Sequence, residues 1–232
     1  MPVTFGEANP KYQKRTIHHE KIIQLESVDN DGKNIFVHPV QWGEIHVDDR
    51  GIFIMCDAVD VCHYSFDGKF IIRVVDYDPK TTPELKLSEV LAYDEKGKNW
   101  YISTWERTVY TAKEGNTWDK IFTYPQMAGN HTDGMDFVRS KSGLGLLYVS
   151  DMTSNFIGQW GFGDNPCTTG ETETGWTEWK RFSYAEFFGS KVKEVEGMGY
   201  GPLGHFWVTS ASGLYELGGG GLTKYIEPAE VE

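Results

Sequence analysis

Apolar positions along this chain gather into short runs set off by glycine turns. Four of the runs share one pattern: IFIMCD, NWYIST, LLYVSD and HFWVTS. Each is rich in β-branched and aromatic residues and ends on a small or acidic one, which predicts a buried strand entered through a tight turn. The surroundings repeat as well: a short strand, the glycine turn, the apolar strand, then a third and a fourth strand. The units cover 42–77, 90–124, 133–163 continued by 176–184, and 196–228.

The turn glycines Gly51, Gly97, Gly145 and Gly204 lie 46, 48 and 59 residues apart. That interval is close to one four-stranded propeller blade per repeat. The longest interval holds an insertion, GDNPCTTGETETG (163–175), between the third and fourth strands of its unit, and its composition is that of a surface loop. Residues 1–40 carry the strand-like pieces TIHHEKIIQLES and KNIFVHPV around the turn DNDGK, matching the second half of a blade better than a whole one.

The predicted fold is all-β: a β-propeller of about five blades of four antiparallel strands, within bounds of four to six. Residues 1–232 form a single domain, with 1–40 as a partial or irregular first blade. In the alternative arrangement the N-terminal strands complete the last blade, leaving four, or pair with another chain. A sandwich is the competing architecture, but its strand spacing does not explain four recurrences of one turn-then-strand pattern.

Composition narrows the partners. Aromatics at 14% and 26 glycines suit many short strands and tight turns. With 34 acidic against 22 basic residues the net charge is −12, which repels phosphate backbones and anionic headgroups. No nucleic acid and no membrane partner is expected; divalent cations and neutral or cationic small molecules are favoured. The N-terminus has no apolar segment behind its charges, and no apolar run approaches the roughly 18 residues that span a bilayer. The expectation is a soluble, cytoplasmic protein, monomer or homodimer. Cys56, Cys62 and Cys167 form an odd set that fits a reducing compartment. Cys56 and Cys62 could face each other across a hairpin, but are read here as two buried thiols.

The unit DGMDF…GLGLLYVSD…NFIGQW resembles the repeats of NHL propellers and of streptogramin B lyase. TDGMDF is similar to the Pro-Asp-Gly-Met stretch of the gluconolactonase/regucalcin family, with Thr132 in place of the proline. WGEIHVDDRGIFIMCD resembles that family's Gly-Glu-Ser-Pro-Val-Trp segment, with Ile45 and His46 where Ser-Pro would stand. In that family each segment donates a carboxylate to a divalent metal on the central axis, so the resemblance implies Glu44 and Asp133 as ligands. The family's asparagine ligand has no counterpart in a matching context, and the chain is shorter than a six-bladed member.

The propeller reading itself also brings candidate residues together. Innermost strands of all blades converge on the axis, so equivalent positions become neighbours. They carry Glu44 and His46, then Glu89, then Asp133 and Asp136, then Glu196. Carboxylates aimed at one cavity repel unless a proton or a cation lies between them. Glu44, Asp133, Glu196 and Glu89 are therefore the candidate ligands, and with Asn130 and water an oxygen-rich set suits Ca²⁺, Mg²⁺ or Mn²⁺. His131, His46 and Asp136 are the candidate proton-transfer groups. Trp42, Trp105 and Asn130 are the candidate substrate contacts, whereas Trp100, Tyr148 and Trp207 should pack between blades. Glu89 lacks the adjoining glycine of the other three. His18 and His19 are consecutive and point to opposite faces of a strand.

There is no Gly-x-Ser-x-Gly elbow, phosphate-binding loop or Cys-x-x-Cys pair. The leading reading is a divalent-metal-dependent hydrolase or lyase acting on a small lactone-like or ester-like molecule in the central funnel. The alternative is a non-catalytic propeller that binds a protein or small ligand on one face through loop 163–175, Trp176 and Trp179. In a third reading the metal only closes the ring.

Overall fold

The glycine turn and apolar strand of each repeat form the first hairpin of a blade. In the computed structural model of the chain the described residues are 11–16, 21–28, 37–39, 43–57, 59–124, 131–139, 143–151, 153, 156–163, 175–183, 194–201, 204–210, 213–218 and 221–226. An N-terminal strand, β1 (Lys11–Thr16), precedes four sheets. Blade 1 is β2 (Ile45–Asp48), β3 (Gly51–Cys56), β4 (Asp60–Tyr64) and β5 (Phe70–Val75). Blade 2 is β6 (Ser88–Asp94), β7 (Asn99–Thr104), β8 (Thr108–Lys113) and β9 (Asp119–Thr123). Blade 3 is β10 (Thr132–Arg139), β11 (Gly145–Asp151), β12 (Phe156–Phe162) and β13 (Trp176–Ser183). Blade 4 is β14 (Val195–Tyr200), β15 (Phe206–Ser210), β16 (Gly213–Gly218) and β17 (Gly221–Ile226).

The four strands of each blade form an antiparallel meander, and the blades number four, within the expected bounds of four to six. Among the described residues the N-terminal stretch builds no blade of its own. β1 adds to the outer edge of blade 4, parallel to β17, with Lys11 opposite Gly221 and Thr16 opposite Ile226. Residues 21–28 and 37–39 lie against blade 1, where Val28 bridges Val37 and Pro39 bridges Cys56. The insertion falls between β12 and β13, as its composition predicts, and residues 164–174 lie outside the described residues.

Every residue of β3 is buried, because a blade has neighbours on both faces, and this is why the apolar runs show no period-2 alternation. Phe53, Met55 and Val61 pack against Leu91, Trp100, Ile102 and Tyr110 between blades 1 and 2. Val90, Tyr101 and Phe122 meet Met135, Leu147 and Trp160 between blades 2 and 3. Tyr148, Ile157 and Phe182 meet Met198, Phe206 and Tyr215 between blades 3 and 4. The remaining face of blade 1, with Ile52, Ile54 and Tyr64, is covered by Val37, Ile23, Leu25 and Val28. Trp100 and Tyr148 are core as expected, but Trp207 is half-buried and faces the central cavity.

Two local features follow from register. Gly51 has φ of +146°, and a Cβ there would stand 2.2 Å from the Tyr64 carbonyl oxygen, which accounts for glycine at this turn. Cys56 and Cys62 form a disulfide across the β3–β4 hairpin, a correction to the two-thiol reading. Ile54 pairs with Cys62 and Cys56 with Asp60, so the cysteines are diagonal neighbours on adjacent strands, with Cα atoms 6.0 Å apart.

Candidate axial cation site

Three acidic residues occupy the same irregularity in three blades. The β6–β7 pairing skips Glu89, between Ser88 opposite Thr104 and Val90 opposite Ser103. The β10–β11 pairing skips Asp133, and the β14–β15 pairing skips Glu196. A β-bulge leaves its extra residue unpaired and re-aims the side chain, and here each bulge carries a carboxylate on the wall of the axial cavity. Glu44 precedes β2 at the corresponding place in blade 1, and its N–H donates to the Glu89 carbonyl at 2.8 Å.

Glu44 lies at the centre of this arrangement. Its carboxylate accepts N–H bonds from Leu91 at 3.0 Å, Met135 at 2.9 Å and Met198 at 3.1 Å, one donor from each of the other blades. Each donor stands two residues past the bulged acid of its strand. Burial pushes the Glu44 carboxyl well above the usual carboxylate range, the three N–H bonds pull it down, and the charge of Asp136 adds to the rise.

The structure brings together Glu89, His131 and Asp133, whose ligand atoms all lie within 4.8 Å of one another. His131 Nε2 is 3.7 Å from Asp133 Oδ1, is buried, and has no hydrogen-bond partner among the described residues. Asp133 is buried, while Glu89 and His131 are half-buried. The His131 backbone is held from behind, its N–H donating to Asp151 Oδ2 at 2.7 Å. The same oxygen accepts from Tyr124 Oη at 3.1 Å, and Tyr124 also bonds Thr132, which bonds Ser103. Sequence reasoning missed Asp151 and Tyr124 as positioning residues, although the acid ending the LLYVSD run was the available signal. Trp105, on the β7–β8 turn, sets its ring edgewise to His131 with centroids 4.7 Å apart, and remains 41% exposed.

The other candidates stand apart from this trio. His46 packs among Phe53, Tyr93 and Trp100, with Nε2 3.5 Å from Asp48, and burial lowers its pKa. Asp136 accepts N–H bonds from Phe137 at 2.7 Å and Tyr200 at 2.5 Å, and burial pushes its carboxyl up to about 6. Glu196 is exposed on the cavity wall. Trp42 and Asn130 lie outside the described residues. Trp176 and Trp179 are half-buried, with Trp176 against Phe122 and Tyr101. The axial cavity, about 1520 Å³, takes in Glu89, Asp133, Asp136 and Glu196 together with Tyr200 and Trp207.

A second cluster, Cys56, Asp57 and Asp60, is already satisfied. Cys56 is in the disulfide, and Arg73 pairs with Asp57 at 2.7 Å and Asp60 at 3.4 Å. In the Glu89–His131–Asp133 trio the described ion pair is internal, His131 Nε2 with Asp133 Oδ1 at 3.7 Å. Two carboxylates and one imidazole with an unpartnered Nε2 fit a divalent cation. The imidazole moves the preference from Ca²⁺ toward Mn²⁺ and Zn²⁺.

No known family profile matches the chain, and no curated protein matches it. Solved structures do. A structural genomics protein of unknown function from Bacteroides thetaiotaomicron is similar with a TM-score of 0.53 and 13% identity, over 80% of this chain and 48% of its own. The WD40 repeats of RRP9 align with a TM-score of 0.47 and 12% identity, over 78% and 49% of the two chains. YCF48 bound to D1 peptide aligns with a TM-score of 0.44 and 13% identity, over 84% and 57%. The chain spans about half the length of these structures. The first of them supports the propeller fold, and the specific gluconolactonase type is not confirmed. Among the described residues no helix is long and apolar enough to cross a membrane.

Proposed function

We propose that this propeller binds a divalent cation at Glu89, His131 and Asp133 and acts there on a small neutral molecule of the lactone or ester type. The observation that carries the reading is the convergence of those three side chains beside a buried, unpartnered His131 Nε2. Such an ion polarises a carbonyl oxygen or stabilises an enolate. The chain's own residues supply the rest. Asp151 and Tyr124 hold the His131 backbone in place, and Trp105 offers an exposed ring beside it for a flat substrate. Asp136, on the wall of the same cavity, accepts a proton above a pH of about 6. The acidic surface favours neutral or cationic substrates over anionic ones.

Calorimetric titration of the metal-stripped protein with Mn²⁺, Zn²⁺, Mg²⁺ and Ca²⁺ tests this directly. Saturable binding should weaken by at least about tenfold in His131→Ala and in Asp133→Asn. Hydrolysis of a panel of lactones and aryl esters should follow the same ion and the same variants. Absence of binding by the unsubstituted protein, or binding untouched by either change, overturns the reading.

A further inference from the structure

The innermost strand of each blade is a sheet edge, so half of its main-chain N–H groups have no neighbouring strand to pair with. At one level of the axis three of these groups meet. The N–H groups of Leu91, Met135 and Met198 belong to three different blades, lie at equivalent distances past three equivalent bulges, and converge on one carboxylate. Converging main-chain N–H groups are the donor set of an anion-binding nest. The occupant is Glu44, which stands directly before β2 and is itself pinned by the bond from its N–H to the Glu89 carbonyl.

We propose that these three N–H groups form a carboxylate receptor on the propeller axis and that Glu44 is its tethered ligand, replaceable by a free monocarboxylate once the Glu44 side chain is removed. Blade 1 is then joined to the inner strands of blades 2, 3 and 4 by a recognition contact, on top of its face-to-face packing on blade 2. The geometry suits a planar two-oxygen anion. Both Glu44 oxygens accept from Met135, while Leu91 bonds one oxygen and Met198 the other. A formate ion reproduces that arrangement and restores the charge that truncation removes. This receptor needs no cation and stands independently of the proposed metal site.

The test is thermal melting of Glu44→Ala with EDTA present throughout, titrated with sodium formate against sodium chloride at matched ionic strength. The variant should melt below the unsubstituted protein, and formate should raise its melting temperature saturably while chloride does not. For a ligand of three non-hydrogen atoms the dissociation constant will be no tighter than about 0.5 mM. Formate should leave the unsubstituted protein unmoved, because its receptor is filled. Amide hydrogen exchange supplies the local readout: protection at Leu91, Met135 and Met198 should be lost in Glu44→Ala and return with formate. Equal responses to formate and chloride, or equal responses of variant and unsubstituted protein, overturn the proposal. If Glu44→Ala does not fold alone, its refolding yield titrated with formate reads the same quantity, and a yield indifferent to formate overturns it equally.

Discussion

Two glycines on innermost strands should respond to alanine with opposite signs. Gly134 on β10 and Gly199 on β14 both have ordinary extended backbones, so conformational strain does not separate them. Space does. A Cβ on Gly134 would stand 2.4 Å from Ser150 Oγ and 2.9 Å from the Met198 backbone nitrogen, while a Cβ on Gly199 would meet no heavy atom of the described residues within 4 Å. Met198 nitrogen is one of the three donors to Glu44, and it lies on a strand packed against the blade 3 core, so β14 cannot retreat without disturbing Tyr148, Phe206 and the axial contact together. Overpacking of this kind costs about 1–3 kcal/mol. Restricting the unfolded chain returns about 0.4–1 kcal/mol to either variant. At roughly 2–4 °C per kcal/mol for a chain of this size, Gly134→Ala should melt lower than the unsubstituted protein, by up to about 10 °C, and Gly199→Ala about 1–4 °C higher. Circular dichroism melts with matched urea titrations measure both shifts. A Gly134→Ala variant that melts at or above the unsubstituted protein would refute the close approach of β10 and β14.

Asp136 and the disulfide give two further expectations. Burial raises the Asp136 carboxyl from 3.8 to about 6, so the folded state holds this proton more tightly than the unfolded chain does. Its contribution to stability is then fully present below a pH of about 4 and is lost as pH rises through about 6. Asp136→Asn removes that dependence, so the stability difference between the two proteins should drift by up to about 3 kcal/mol between those limits. Urea midpoints taken at several pH values read the drift, and a flat difference contradicts the assignment. Cys56 and Cys62 are six residues apart, and closing so short a loop is worth about 2 kcal/mol. Reduction should lower the melting temperature by about 4–8 °C. An unchanged melt with both thiols confirmed free by mass would contradict the bridge.

Much of the fold was legible because a blade buries both faces. That leaves uninterrupted apolar runs such as IFIMCD and LLYVSD, and the glycine before the first is demanded by the close approach of the Tyr64 carbonyl at Gly51. The equivalence of Glu89, Asp133 and Glu196 was also readable from position in the repeat, and even Glu89, without a glycine beside it, shares the bulge. The role of Glu44 was less so. A carboxylate next to an inner strand reads equally well as a metal ligand or as an acceptor for main-chain N–H groups, and only the positions of Leu91, Met135 and Met198 separate the two. His46 and His131 looked alike in sequence, each near an inner-strand acid. In the structure one is packed among Phe53, Tyr93 and Trp100 and the other sits in the Glu89–Asp133 cluster.

By itself the sequence determined the repeat, the strand order within each blade, the place of the insertion and the acidic character of the axis, because all of these follow from local patterning over a few tens of residues. The tertiary structure decided the blade count, through the pairing of β1 with β17 from the opposite end of the chain. It decided the disulfide, through the register of β3 on β4 that sets Cys56 diagonally across from Cys62. It also decided which acids meet a histidine and which is held by N–H groups. The physical reason is common to all three: pairing register and convergence on an axis are set by how separately formed sheets stack against one another, and no single stretch of chain carries that information.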